Sequence, residues 1–210
     1  MKSGIFITIE GGDGSGKTTQ IKLMAEYLQK KKVQYVLTRE PGGIDISEQI
    51  RAVVLNNKNT AMDAKTEALL YAASRRQHLV ERVIPALKDG KVVICDRFVD
   101  SSLAYQGYAR GLGMEEVLNI NEFAIEGYMP NLTIYLDLDA VKGIDRINKD
   151  SQREVNRLDL EKNSFHEKVR EGYKILINKY PERIKLINAN NSIENVFENI
   201  KFHIDKVLCI

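Results

Sequence analysis

Five short apolar runs recur along the chain, and segments with helical patterning lie between them. The runs cover residues 5–9, 33–38, 92–95, 132–137 and 184–188. Most of them are almost continuously apolar, which is typical of parallel strands that are covered on both faces. Helices are predicted over about 17–31, 46–56, 64–88, 101–108, 115–127, 140–149, 164–179 and 192–208, and Pro85 is expected to end or kink the third of them. The pattern therefore predicts a three-layer α/β/α fold, in which a five-stranded parallel sheet lies between layers of helices.

The composition narrows the class of protein. The chain has 210 residues, of which 43% are hydrophobic, so a single domain spanning 1–210 is expected. A net charge of +2 gives no basic surface of the kind that binds nucleic acid. No apolar run approaches the ~20 residues of a membrane span, and the chain starts directly with the first apolar run. We therefore expect a cytoplasmic protein without nucleic-acid or membrane partners.

A glycine-rich loop joins the first apolar run to the first predicted helix. Residues 11–18 read Gly-Gly-Asp-Gly-Ser-Gly-Lys-Thr, which is the P-loop of P-loop NTPases in its strand–loop–helix setting. Backbone N–H groups can wrap a polyphosphate there, while Lys17 supplies a charge and the Thr18 hydroxyl can bind Mg2+. The residues predicted to bind ATP are Gly11, Gly12, Asp13, Gly14, Ser15, Gly16, Lys17, Thr18 and Thr19.

Further candidates follow the second and third apolar runs. Arg39 begins an Arg-Glu-Pro-Gly-Gly stretch, and a guanidinium can grip a second phosphate with two hydrogen bonds. Asp96 closes the third run, where a carboxylate beside a P-loop commonly faces Mg2+, and Arg97 follows it. The carboxyl ends of parallel strands meet at one edge of a sheet, so these groups are expected close to Lys17. The alternatives are a solvated arginine in an ordinary turn and a surface salt bridge.

Two pairs of residues at helical spacing are candidates for reading a base. Tyr71 and Arg75 share one helix face, as do Ser102 and Gln106. An aromatic ring can stack on a base, while an arginine and an amide can bond its edge. The alternatives are core packing by Tyr71, pairing of Arg75 with a surface acid, and helix capping with exposed polar residues around Ser102.

The polar segment 149–158 is the part of the chain with the least apolar patterning. It carries Arg153 and Arg157 and separates two predicted helices. We predict a short lid that closes an arginine over transferring phosphates and excludes water. A solvated loop is the alternative.

Taken together, these segments resemble the bacterial thymidylate kinases over nearly the whole chain. The strings that carry the resemblance are the P-loop, Arg-Glu-Pro-Gly-Gly at 39–43, Ala-Ser-Arg-Arg-Gln-His at 73–78, Asp-Arg-Phe at 96–98, Ser-Ser-Leu-Ala-Tyr-Gln-Gly at 101–107 and Asn-Arg-Leu-Asp at 156–159. The resemblance implies a homodimer that uses ATP and Mg2+ to phosphorylate dTMP to dTDP, a step in dTTP biosynthesis.

By position, the resemblance assigns roles to the polar groups. Lys17 and Thr18 would serve ATP and Mg2+, Asp13 would orient the acceptor's sugar, and Arg39 and Arg97 would hold the dTMP phosphate. The nucleoside would be held by Tyr71, Arg75, Ser102, Tyr105 and Gln106. Tyr71 would stack on thymine, and Arg75 and Gln106 would hydrogen-bond its edge, with Ser102 close by. Tyr105 would crowd the ribose 2′ position.

Two positions depart from patterns in the family. Many bacterial members have Glu where this chain has Asp13, and eukaryotic-type loops have Arg where this chain has Gly14. The missing charge must then come from the lid, which makes Arg153 the leading candidate for the catalytic arginine and Arg157 the second. The predicted catalytic groups are thus Lys17, Asp96, Arg97 and Arg153, with Thr18 and Asp96 on the metal.

Other function classes remain open on the residues alone. A kinase for another nucleotide would change the reading of Arg75 and Gln106, and a nucleoside kinase would leave Arg39 without a role. A GTPase-type switch requires Asn-Lys-x-Asp, and the nearest string, Asn-Lys-Asn-Thr at 57–60, lacks the aspartate. A non-catalytic nucleotide-binding module is disfavoured by the intact Lys17, Thr18, Asp96 and Arg97.

Overall fold

The five predicted strands form one parallel sheet. The computed structural model describes residues 4–148 and 157–210, and within them the strand order is β2-β3-β1-β4-β5. The strands are β1 (Ile5–Gly11), β2 (Tyr35–Arg39), β3 (Val92–Asp96), β4 (Leu132–Asp137) and β5 (Ile184–Asn188). The last two have the predicted bounds, whereas β1 extends into the P-loop and β2 begins later than predicted. The predicted parallel α/β architecture is confirmed.

The helices follow the predicted segments closely, with two changes in hydrogen-bond pattern. The α-helices are α1 (Lys17–Lys30), α2 (Asp45–Leu55), α3 (Ala64–His78), α4 (Ile84–Lys88), α5 (Val99–Ser102), α6 (Met114–Ile125), α7 (Ala140–Asn148), α8 (Asn163–Lys179) and α9 (Ile193–Leu208). Two π-helical segments, Leu79–Val83 and Leu103–Ala109, continue α3 and α5, and a 3-10 turn spans Arg157–Leu160.

Pro85 was expected to end or kink the third helix, and it does not end that helix. The π-helical segment Leu79–Val83 precedes it, and Pro85 lies in the first turn of α4, which continues to Lys88. Proline lacks an N–H, so a position at the start of a new hydrogen-bond register tolerates it. The helix therefore covers the full predicted length with an altered register.

Apolar residues on the two faces of the sheet form two cores. Phe6, Val93 and Tyr135 pack on the face that carries α6, α8 and the π-helical segments. Their chain neighbours Ile7, Ile94 and Leu136 pack on the opposite face against α1 and α9. Successive strand residues point to opposite faces, so nearly continuous apolar strands bury both sides of the sheet.

Helix capping fixes where two of the helices begin. Asp63 accepts hydrogen bonds from the backbone N–H groups of Lys65 and Thr66 at the start of α3, and Ser192 accepts one from Asn195 at the start of α9. Both side chains satisfy donors that the first helical turn leaves unpaired.

Candidate active site

A cavity of about 590 Å3 lies at the carboxyl edge of the sheet, where β1, β2 and β3 end. Most of the predicted site residues line it. These are Asp13, Gly14, Gly16, Lys17, Thr18, Thr19, Arg39, Tyr71, Arg75, Asp96, Arg97, Ser102, Tyr105 and Gln106. Gly11, Gly12 and Ser15 belong to the same loop without lining the cavity, and Arg153 lies outside the described residues. The structure therefore gathers groups from five separate stretches of sequence into one place.

Lys17 is folded back onto its own loop. Its ammonium donates to the carbonyl oxygens of Gly11 and Gly12, both at 3.0 Å, and lies 3.9 Å from a carboxylate oxygen of Asp13. Burial, followed by the charge of Arg97, lowers the pKa of Lys17 below its usual value. A phosphate bound in the loop would stabilise the charged form of Lys17, because an opposite charge nearby favours the ammonium.

Helix α7 touches the P-loop through two glycines. Gly14 has a φ of +74°, and a Cβ there would lie 2.2 Å from the carbonyl oxygen of Gly143. A Cβ on Gly143 would in turn lie 2.4 Å from the carbonyl oxygen of Asp13. No side chain fits between these backbones, which is a structural reason for glycine at position 14. Sequence reasoning missed this contact and also missed Arg146, whose guanidinium lines the cavity 3.4 Å from the Gly14 carbonyl.

Arg97 occupies a strained turn directly after β3. Its φ is +69°, a left-handed conformation that costs a non-glycine residue roughly 1–3 kcal/mol. Its backbone N–H donates to Ile9, and its guanidinium donates to Asp13 at 2.9 Å and lies over the Tyr105 ring at 5.1 Å. These contacts hold the guanidinium beside the P-loop, where a second phosphate would approach.

Buried Glu10 forms hydrogen bonds to the residues that follow the Arg97 turn. One carboxylate oxygen accepts from the backbone N–H of Phe98 at 2.7 Å, and the other accepts from the hydroxyls of Ser101 at 2.6 Å and Tyr173 at 2.7 Å. Burial, reinforced by the negative charge of Asp100, raises the pKa of Glu10 to about 7. Sequence reasoning gave Glu10 no role, because it reads simply as the last residue before the glycine-rich loop.

Arg39 reaches the cavity from the end of β2 but remains 45% exposed. Its guanidinium bonds the carboxylate of Glu48 at 2.8 Å and donates to the carbonyl oxygen of Pro41 at 3.0 Å. Arg51 of α2 donates to the same carbonyl at 3.1 Å and also lines the cavity. Two guanidinium groups therefore lie at this wall, of which only Arg39 was predicted.

Arg75 is fixed by a buried polar chain that sequence reasoning missed. The Thr38 hydroxyl and His78 Nε2 are 2.6 Å apart, His78 Nδ1 lies 2.9 Å from Glu40, and Glu40 accepts from Arg75 Nε at 2.8 Å. Arg75 Nη1 donates to Ser102 at 3.1 Å and also to Asn121. The acid that pairs with Arg75 is therefore the buried Glu40, and the surface-acid alternative is wrong.

Gln106 is held by a second buried acid, Glu67. The Gln106 amide nitrogen donates to Glu67 at 2.8 Å, and Arg157 donates to the other oxygen of the same carboxylate at 2.5 Å. Arg157 also donates to the carbonyl oxygen of Val54 at 2.9 Å. Because its guanidinium is buried among these partners and does not line the cavity, Arg157 is not positioned to contact transferring phosphates in this structure.

A helical stripe could have revealed the missed residues. Glu67, Tyr71, Arg75 and His78 follow one another at intervals of one helical turn on α3, and all four are buried. A helix face with so many polar groups requires partners from neighbouring elements. Glu40 and Gln106 provide them here.

The donor set fits a hard cation at the edge of the P-loop. Among the described residues, Asp96 Oδ1 is buried without a hydrogen-bond partner. Asp96 lines the cavity together with Thr18, whose hydroxyl is the other candidate ligand. Oxygen ligands of this kind are the ones that Mg2+ takes.

Within residues 4–148 and 157–210, none of the helices has the length and apolar character needed to cross a bilayer.

Comparisons with known proteins point to one family. The family model described as thymidylate kinase matches residues 9–200. A curated thymidylate kinase from Clostridium novyi is 66% identical over 201 residues, covering 96% of this chain and 98% of its own, and one from Anoxybacillus flavithermus is 62% identical over 196 residues, covering 93% and 94%. The solved structure of thymidylate kinase from Ehrlichia chaffeensis superposes with a TM-score of 0.77 at 34% identity, covering 97% of this chain and 99% of its own. The chain therefore belongs to the thymidylate kinase family, a family of phosphotransferases.

Proposed function

We propose that this protein transfers the γ-phosphoryl group of ATP to dTMP, giving dTDP and ADP. The observation that carries the proposal is the single cavity shared by the P-loop, the two arginines Arg39 and Arg97, and the wall formed by Tyr71 and Arg75. A donor triphosphate, an acceptor phosphate and a pyrimidine base each have chemically suited groups there. The reaction would supply the diphosphate from which dTTP is made.

Catalysis in this site is mainly positioning and neutralisation of charge. An oxygen of the acceptor phosphate attacks the γ-phosphorus in line, and no strong base is needed because that oxygen is already anionic. The obstacle is repulsion between the two phosphates as they approach. Lys17 and Arg97, held at the loop by Asp13, stabilise the combined negative charge, and Arg39, which lines the same cavity, holds the acceptor phosphate.

Thr18 and Asp96 would hold Mg2+, which supplies charge neutralisation on the β- and γ-phosphates when bound. One Asp96 oxygen has no hydrogen-bond partner among the described residues, and this supports the assignment because a buried acceptor without a donor is otherwise costly.

The nucleoside would lie against α3 and the π-helical segment Leu103–Ala109. Tyr71 would stack on thymine, while Arg75 and Gln106 bond its edge and Ser102 lies beside them. Tyr105 would crowd a ribose 2′-hydroxyl and so favour deoxynucleotides. Its own hydroxyl is buried and has no hydrogen-bond partner among the described residues, which is consistent with a ligand group reaching it.

Arg153 is proposed as the lid arginine that completes the charge around the transferring group. Arg157, the other candidate for this role, is buried against Glu67. Gly14 carries no charge, so the P-loop itself does not supply one at that position.

The proposed assembly is a cytoplasmic homodimer. Phe123 on α6 is 89% exposed and Leu69 on α3 is 55% exposed, and these two helices pack side by side. Large apolar side chains exposed on neighbouring helices are suited to burial against a partner. Sedimentation analysis of the wild-type protein and a Phe123→Glu variant tests this assembly.

The function is tested by coupling ADP release to dTMP, dUMP, dCMP and AMP as acceptors. ADP formation that depends on acceptor and is fastest with dTMP is the expected result. Rapid ATP hydrolysis unaffected by any acceptor would indicate a switch protein, and a preference for another acceptor would indicate a different nucleotide kinase.

A further inference from the structure

The structure assigns to Glu67 a role in choosing the base: Glu67 is a positioning residue that fixes which end of the Gln106 amide faces the base. The assignment rests on the proposed function, because it concerns how the same site distinguishes thymine and uracil from cytosine.

Glu67 is an ionised carboxylate enclosed by donors. It is 1% exposed, and it accepts from Gln106 at 2.8 Å, from Arg157 at 2.5 Å and from Arg110 at 3.3 Å. Burial alone would raise the pKa of Glu67, but the hydrogen bonds from Gln106 and Arg157 and the charge of Arg110 outweigh burial and lower it. The carboxylate therefore stays charged at neutral pH.

A charged carboxylate constrains the amide that it contacts. An ionised carboxylate only accepts hydrogen bonds, so Gln106 must present its NH2 group to Glu67 and cannot flip. The amide oxygen lies on the other side of the same carbon, and Gln106 lines the cavity. The consequence is a fixed hydrogen-bond acceptor at the place where the base would bind.

Arg75 supplies the complementary donor. Glu40 holds its Nε, and Ser102 and Asn121 hold its Nη1, so the guanidinium has a fixed orientation in the cavity wall. A guanidinium donates and never accepts. The wall therefore offers one donor and one acceptor to a base.

This pair matches one class of pyrimidine. Thymine and uracil present a carbonyl oxygen next to N3–H, which pairs with Arg75 and with the Gln106 oxygen. Cytosine presents an amino group next to an unprotonated nitrogen. The Arg75 donor would then face the amino donor, and the Gln106 amide oxygen would face the nitrogen acceptor. Mispaired polar groups in a buried site lower affinity by roughly tenfold or more.

Glu67→Gln is the main test. A neutral amide both donates and accepts, so Gln106 loses its fixed orientation in this variant. The quantity measured is kcat/KM for dTMP and for dCMP with saturating ATP. We expect the dTMP-to-dCMP ratio to fall by about tenfold or more, mainly through KM for the nucleotide, with KM for ATP unchanged.

Gln106→Met provides a second, independent test that leaves both arginine partners of Glu67 in place. It should lower the same ratio by a similar factor, and adding Glu67→Gln to it should cause little further loss of discrimination. Glu161→Gln is the matched control, because Glu161 pairs with Arg110 at 2.6 Å and is not bonded to Gln106. The control should keep the wild-type ratio.

The outcomes separate this assignment from the proposed function. A wild-type protein that does not phosphorylate dTMP contradicts the proposed function. A wild-type protein that does so, together with an unchanged ratio in Glu67→Gln, overturns the assignment of Glu67 alone, whatever the ratio in Gln106→Met. If Glu67→Gln does not fold, the assignment is still falsifiable through Gln106→Met, because an unchanged ratio in that variant has the same consequence.

Discussion

Glu10 makes the free energy of unfolding decrease as the pH rises from 4.5 to about 7. The carboxyl is fully enclosed beneath the Arg97 turn, and its pKa in the folded protein is about 7, compared with an ordinary value of 4.5. Burial is the main cause, and the negative charge of Asp100 adds to it. The substitution Glu10→Gln removes the titration and keeps the shape of the side chain.

The expected magnitude follows from the difference of about 2.5 between the two pKa values. At about 1.36 kcal/mol per pKa unit, ionisation of Glu10 destabilises the folded state by about 3 kcal/mol. Below pH 4.5 the carboxyl is protonated in both states and this cost is absent. The cost grows as the pH rises from 4.5, and it is complete once the pH has passed through about 7.

Glu10→Gln should remove this dependence without destroying the network. An amide oxygen can still accept from the Phe98 N–H, and the amide NH2 can donate to the hydroxyl oxygens of Ser101 and Tyr173. Equilibrium denaturation in urea, followed at several pH values between 4.5 and 8.5 without nucleotide, gives the free energy of unfolding of both proteins. The difference between wild type and variant should change by about 3 kcal/mol across this range.

Tyr173→Phe is the matched control, since it removes one donor to the charged carboxylate and should raise the pKa of Glu10 further. Its loss of stability should therefore extend to higher pH than in the wild type. Parallel curves of unfolding free energy against pH for wild type and Glu10→Gln would show that Glu10 does not cause this pH dependence.

Three further predictions concern the loop, the buried acid and the lid. Gly143→Ala places a Cβ 2.4 Å from the Asp13 carbonyl oxygen, so titration calorimetry should show weaker ATP binding with little change for dTMP. Glu40→Gln leaves the guanidinium of Arg75 buried without its counter-charge, and the free energy of unfolding should fall by about 3 kcal/mol or more in chemical denaturation. Arg153→Ala should lower kcat by roughly 10^3-fold or more with modest changes in nucleotide affinity, and near-normal turnover in steady-state assays would exclude Arg153 as the lid arginine.

The elements and the loop chemistry were predictable because they depend on local patterns. The bounds of β4 and β5 follow from apolar runs ended by polar residues, and the P-loop has a fixed spacing. The convergence of Arg39 and Asp96 follows from the rule that parallel strands end at one edge. None of these inferences requires knowledge of how distant side chains pack.

The buried partners were not predictable from the same patterns. Glu40 and Glu67 come from different elements than the residues they orient, and only the packing of α3 against β2 and the π-helical segment Leu103–Ala109 brings them together. The π-helical register at Gln106 likewise has no clear sequence signal. Gly143 looks like an ordinary helical glycine until the P-loop is placed against it.

In the proposed reaction, Arg39 and Arg97 hold an acceptor phosphate in the cavity of Lys17. The most direct measurement is the dissociation constant of dTMP compared with that of thymidine, for the wild type and for a variant carrying Arg39→Ala and Arg97→Ala. Hydrogen bonds to charged groups contribute about 1.5–3 kcal/mol each, so the wild type should prefer dTMP by at least tenfold, and the variant should bind the two ligands alike. Equal binding of both ligands by the wild type, or an undiminished preference in the variant, would show that these arginines do not hold the acceptor phosphate.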